Sequence, residues 1–273
     1  MTSGMKRTGL HVLLFAAAAL TAFPLFWMVS ASLMAPGETS QTPPPLLPEE
    51  PTLGNYRQLF SQLQMGRFLR NSTVVALAIT LVSLLLNSMA GYAFAKLKFR
   101  GRQRLFRVLV SALVIPAQVA MLPLFLILKS LGLVNTYAGV VLPSAATIFG
   151  IFLVRQYALS VPDSLLEAAR IDGASELRIF WKIVLPLIRP ILVTLAVFTF
   201  LGSWNDFLWP LIVLADDDRY TLPVALASLS REHVQDNELM MAGSVVTVVP
   251  VLLLFLFLQR YYIEGIVLGG VKE

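Results

Sequence analysis

The sequence predicts an all-α integral membrane protein with six transmembrane helices. Hydrophobic residues make up 57% of the 273-residue chain and charged residues only 14%. Mean hydropathy is +0.75, whereas ordinary soluble domains carry about a quarter charged residues. The apolar residues gather into six runs of bilayer length, with basic and acidic residues sorted into alternate loops. The chain has no Cys and only two His, His11 and His233. Disulfides and thiolate metal sites are therefore excluded, and no histidine relay or metal site is expected. The net charge of +5 sits in short loops between apolar runs, which is the mark of membrane orientation and not of a nucleic-acid partner.

The runs cover residues 10–34, 71–95, 108–128, 136–154, 191–215 and 239–259, and together make one membrane domain, 1–273. Each is long enough to cross a hydrocarbon core of about 30 Å. Lys6 and Arg7 precede the first run, whose apolar stretch exceeds that of a signal peptide, so it reads as a retained span. Between the first two runs, Pro43, Pro44, Pro45, Pro48 and Pro51 predict an extended spacer, and residues 53–68 a short interfacial helix. Lys96, Lys98, Arg100, Arg102, Arg104 and Arg107 separate the second and third runs. Pro116, Pro123 and Pro143 are expected to kink spans three and four, which a short link around Gly132 makes antiparallel neighbours. Arg155, Arg170, Arg178, Lys182 and Arg189 follow span four, whereas Asp216, Asp217, Asp218, Glu232, Asp236 and Glu238 dominate the segment after span five. The positive-inside rule then places both termini, the basic loop and residues 155–190 in the cytoplasm.

Residues 155–190 are too polar for lipid and too patterned for a slack loop. Pro162 and Asp163 suit a helix start, Gly173 a helix stop, and Ser175 the cap of a second helix. Leu165, Leu166, Ala168 and Ala169 give the first helix a small apolar face. Leu177, Phe180, Trp181 and Val184 fall at i, i+3, i+4 and i+7 and predict one apolar stripe on the second. Pro186 and Pro190 are expected to end it. The pair is either a surface hairpin packed on its own protein or a docking knob for a soluble partner.

Glu167-Ala168-Ala169, three residues, Gly173, nine residues and then Ile183-Val184-Leu185-Pro186 resemble the EAA signature of ABC importer permeases. Asn71-Ser72, residues 90–95 (Ala-Gly-Tyr-Ala-Phe-Ala) and residues 204–210 (Trp-Asn-Asp-Phe-Leu-Trp-Pro) are similar to the carbohydrate-uptake branch, and to its maltose-type second permease in particular. The resemblance implies a multi-pass protein of the bacterial inner membrane that forms half of a pathway for a sugar or oligosaccharide. It implies a coupling helix pair between helices 4 and 5, with Glu167, Ala168, Ala169, Arg170, Asp172, Gly173, Phe180, Trp181, Ile183, Leu185 and Pro186 at the contact. Implied partners are a cytoplasmic ABC ATPase dimer, a second, different permease and an extracytoplasmic solute-binding protein. The tail, residues 269–273, is similar to the branch's Gly-Ala-Val-Lys-Gly, departing at Gly270 and Glu273, and the resemblance directs it toward the ATPase.

The chain has no GxxxxGK[ST] phosphate loop. It is expected to be no enzyme and to bind no cofactor, with ATP and Mg used by the partner. Glu167 and Arg170 are expected to pair with charges on the ATPase, and Phe180 and Trp181 to supply contact area. Asp206 is the one charge inside a span, about 22 Å from its cytoplasmic start, with Trp204, Asn205 and Trp209 beside it. These residues either line the substrate pathway or join helices, as do Gln118 and Asn87. The acidic segment 216–238 is either a docking surface for the solute-binding protein or a solvated loop. Rival readings are a permease for glycerol phosphate, a polyamine or an amino acid, and a proton-coupled carrier using Asp206.

Overall fold

The computed structural model describes the backbone of residues 2–232 and 236–270 and the side chains of residues 9–229 and 236–257. The described elements are α1 (Thr2–Ser32), α2 (Gly54–Ser61), α3 (Met65–Lys96), α4 (Arg102–Ser111), α5 (Ala117–Ser130), α6 (Tyr137–Val141), α7 (Ile148–Ala158), α8 (Asp163–Ile171) and α9 (Glu176–Ile179). They continue with α10 (Leu185–Leu187), α11 (Arg189–Trp204), α12 (Leu208–Val213), α13 (Leu222–Glu232) and α14 (Asn237–Gly270), and no strand occurs among the described residues. Three helices are by themselves long and apolar enough to cross a bilayer: Gly9–Ser32, Met65–Lys96 and Asn237–Phe257. Three bent pairs pass the same test: Arg102–Val114 with Ala117–Ser130, Tyr137–Ser144 with Ile148–Ala158, and Glu176–Leu187 with Arg189–Trp204. Phe15, Leu20, Leu81, Val114, Val119, Leu122 and Phe257 stand exposed on these helices, which suits lipid and not water.

The bends have chemical causes. At 115–116 the chain turns by 106°, because Pro116 has no N–H to continue the ladder and forces Ile115 into extended backbone (ψ 119°). The run 108–128 is thus broken far more sharply than a kink. Pro143 lies in the turn Leu142–Ser144 that leads into the 42° bend at 145–147. Pro186 and Pro190 flank the 80° turn at Ile188, where the second helix of the polar segment was expected to end.

The chain packs as two compact units, Met1–Leu69 with Leu222–Leu252, and Arg70–Thr221 with Leu253–Glu273. In the first, the proline-rich segment is fastened along its length. Trp27 Nε1 donates to Pro45 O at 3.2 Å, Ser30 Oγ to Leu46 O at 2.6 Å and Thr52 N to Leu33 O at 2.8 Å. Buried Glu238 accepts from Thr39 N and Oγ1, both at 2.8 Å, so this acid of the presumed loop is an internal anchor. The interfacial helix is only α2, and α3 starts at Met65 after a left-handed Gln64 (φ 53°). Segment 216–238 contains α13, an amphipathic helix where a loop was expected.

In the second unit α3 packs closely on α7. A Cβ on Gly91 would lie 2.6 Å from Val154 Cγ1, so only glycine permits this approach. A core of Tyr92, Val154, Ala158, Leu166, Ile179, Phe180, Val184 and Ile188 continues under α8 and α9.

Candidate functional site

α8 and α9 form a knob whose turn is chemically fixed. Pro162 precedes α8, Asp163 opens it, and Ser175 Oγ accepts from Arg178 N at 3.4 Å to cap α9. Gly173 (φ 78°) occupies the left-handed position. Gly173 N donates to Arg170 O at 3.0 Å and Ala174 N to Ala169 O at 2.9 Å, the paired bonds of a Schellman ending. The spacing from Ala169 to Gly173 is therefore the geometry of one helix stop.

Beyond Ile179 the backbone makes a π-helical turn over Phe180–Val184. Its wider period aligns Ile179, Phe180, Val184 and Ile188, all buried, on the chain's own core. The α-helical stripe expected from Leu177, Phe180, Trp181 and Val184 is thus split. Phe180 is 2% exposed and lies 5.8 Å from the Tyr92 ring, so it offers no area to a partner, while Trp181 remains 47% exposed. Ile183 and Leu185 are partly buried against the same core, and Pro186 is exposed. Of the first helix, Leu166 is buried, whereas Leu165 and Ala168 are exposed.

Arg170 also differs from expectation. The tight turn brings α9 back beside the end of α8, and Arg170 Nε donates to Glu176 Oε1 at 2.6 Å. Tyr92 Oη donates to Glu176 Oε2 at 2.7 Å, tying the knob to α3. A second tie is Lys96, 6% exposed, whose Nζ donates to Val161 O (2.7 Å), Leu159 O (3.2 Å) and Asp163 Oδ1 (2.8 Å). Three acceptors meet its three N–H groups. The Lys96 hydrogen bond and charge hold the Asp163 carboxyl below the usual carboxylate range. The sequence shows Lys96 only as a loop charge and Tyr92 only as part of a motif, and does not point to Glu176, because the ties to α3 cross 63 to 84 residues. Glu167, Ala168, Asp172 and Trp181 stay exposed, as do Leu177 and Ile171, the latter at 86%. An unpaired isoleucine at the tip of a charged knob is a residue that sequence periodicity passed over.

The second candidate cluster separates. Trp204 ends α11 buried and stacked on Phe200 (5.6 Å), and Trp209 is buried with Nε1 donating to Gly139 O at 3.3 Å. Asn205 is exposed and donates to Leu201 O, while Gln118 is exposed in the first turn of α5. Asn87 is fully buried and joins helices: its Nδ2 reaches Ser83 Oγ at 2.7 Å and its Oδ1 accepts from Thr147 N at 3.0 Å. Asp206 lines a cavity. Val271, Lys272 and Glu273, which carry the expected tail contact, lie outside the described residues, as does His233.

Apolar helices interrupted at prolines, lipid-facing side chains and one rigid projecting knob define a multi-pass membrane subunit. Residues 87–266 match the family described as binding-protein-dependent transport system inner membrane component. The arabinooligosaccharides transport system permease protein AraQ of Halalkalibacterium halodurans is 42% identical over 93% of this chain and 92% of its own. The sn-glycerol-3-phosphate transport system permease protein UgpE of Pectobacterium atrosepticum is 33% identical over 94% of each. A crystal structure of a bacterial ABC transporter involved in import of the acidic polysaccharide alginate contains a chain of the same fold (TM-score 0.84, 24% identity, 96% of this chain and 99% of that one). The chain belongs to the family of binding-protein-dependent transport system inner membrane components.

Proposed function

We propose that this chain is the permease half of an ATP-driven importer for an oligosaccharide, and that α8 and α9 are the lever on which a separate ATPase pushes. The carrying observation is the knob: its turn is fixed by the Schellman bonds, its base is tied to α3 through Tyr92 and Lys96, and its tip exposes Ile171. A rigid body joined by short links to α7 and α11 passes rotation into spans four and five. The three long helices, the bent pairs at 102–130 and 137–158, and α11 with α12 count as six spans in this reading, with both termini and the knob cytoplasmic. A second permease completes the pathway and an extracytoplasmic solute-binding protein delivers the solute. ATP and Mg belong to the ATPase, since this chain has no phosphate loop.

Sugar is the preferred solute because of the 42% identity to a protein named for arabinooligosaccharides. Glycerol phosphate is the second reading, favoured by the relative named for it. Glu167 is exposed and carries the negative charge of the motif. Glu167→Lys should abolish uptake by the assembled complex while leaving membrane levels of this chain unchanged. Normal uptake at equal levels contradicts the lever. Uptake should also collapse on ATP depletion and survive an uncoupler when ATP is maintained, the opposite of a proton-coupled carrier.

A further inference from the structure

Two helix breaks in the second unit meet at one cavity. The first lies between α6 and α7, where Ser144 and Thr147 stand, and the second between α11 and α12, at 205–207, flanked by Ser203 and Asp206. The cavity encloses about 310 Å³, at the small end of ligand sites (about 300–1,000 Å³), enough for one sugar ring and not for a chain. Non-helical backbone at membrane depth is tolerated where it is buried in protein or borders a water-filled space. Ser203 Oγ is buried and has no hydrogen-bond partner among the described residues, and a buried hydroxyl normally has one. Thr147 Oγ1 accepts from Gly150 N and Asn87 Nδ2, so its hydroxyl hydrogen points its bonding capacity elsewhere. Phe149 and Phe198 lie on the wall half-exposed. Among the described residues no lysine, arginine or histidine lines the space.

We propose that this cavity is a sugar subsite belonging to this chain itself: it takes one ring of a neutral oligosaccharide, with Asp206 and Ser203 bonding its hydroxyls and Phe149 and Phe198 bordering its apolar face. A carboxylate without a neighbouring cation repels phosphate and uronate groups, so the site discriminates against glycerol phosphate and acidic sugars. The inference rests on the oligosaccharide reading above and deepens it. Asp206 has a competing duty, since its Oδ1 accepts from Trp209 N at 3.4 Å at the start of α12. Asp206→Asn keeps that acceptor and removes the charge, which separates the two roles.

The chain has no cysteine, so Ser203→Cys places a single reporter thiol in it. In the complete importer, with ATPase, second permease and binding protein, that thiol should react with methanethiosulfonate ethylammonium, read by mass on this chain. Arabinotriose, lactose or diacetylchitobiose should slow the reaction; glycerol 3-phosphate and digalacturonate should not. Independently, Asp206→Asn should lower sugar imported per ATP hydrolysed by about tenfold, equivalent to about 1.4 kcal/mol, with ATP hydrolysis retained. A thiol that never reacts, or one that no neutral sugar protects in a complex importing such a sugar, overturns the subsite and leaves the oligosaccharide reading standing. So does an Asp206→Asn importer that works at the wild-type ratio. A wild-type complex that imports glycerol 3-phosphate and no neutral sugar overturns the oligosaccharide reading itself.

Discussion

Lys96 shows how a charge counted for topology also does mechanical duty. Its stem is buried and its ammonium meets two carbonyls and a carboxylate at the start of α8. Lys96→Met would strand Val161 O, the carbonyl of a buried residue, a loss of about 1–3 kcal/mol for an unsatisfied buried group. A lower melting temperature of the purified complex, with less uptake per ATP, is the expected outcome; unchanged melting and uptake would show the tie to be incidental. Asp163 sets the acid limit of the same link. Its folded-state pKa is depressed by Lys96, so its contribution is fully present above its unfolded value of about 3.9. It is lost only as pH falls through the lower folded value. The melting difference between wild type and Asp163→Asn should therefore be constant from neutral pH down to about 5 and shrink below about 4. A difference that vanishes near neutrality would contradict the pairing.

At the scale of elements, the knob was legible where local chemistry decides. Pro162, Gly173 and Ser175 punctuate α8 and α9 at the positions their backbone preferences require. What escaped is non-local or aperiodic. The π turn at Phe180–Val184 shifts the buried face away from Trp181, and a 3.6-residue period cannot register an inserted residue. Ser203 and Thr147 meet at one cavity although 56 residues apart in numbering, from helices that no spacing rule pairs. α13 was hidden by the acids around it, though Leu222, Val224, Ala225 and Leu229 of its buried face carry a helical signal. Gly173→Ala tests the turn: a Cβ there meets no atom, so any loss comes from the positive φ alone, about 1 kcal/mol. Uptake should fall partially, with assembly intact; a variant fully equal to wild type would show that the turn tolerates another geometry.

For the whole molecule, bilayer-length apolar runs and loop charge predicted a helical membrane protein, and the helices agree. Prolines bend two of the expected crossings, and the break between α6 and α7, together with that between α11 and α12, borders the cavity that Asp206 lines. Two places in one unit are thereby joined: a knob tied to α3, and a mostly apolar cavity among α3, α7, α11 and their breaks into which Asp206 and a few hydroxyls are set. The central claim is that the knob is seated in a nucleotide-hydrolysing partner. The most direct measurement places a photo-crosslinker on Ile171→Cys in the complete membrane complex and identifies the captured chain by mass. The account predicts an adduct with the ATPase subunit whose yield changes when ATP is added. Capture of lipid alone, or of no chain at all in a complex that still transports, would contradict it.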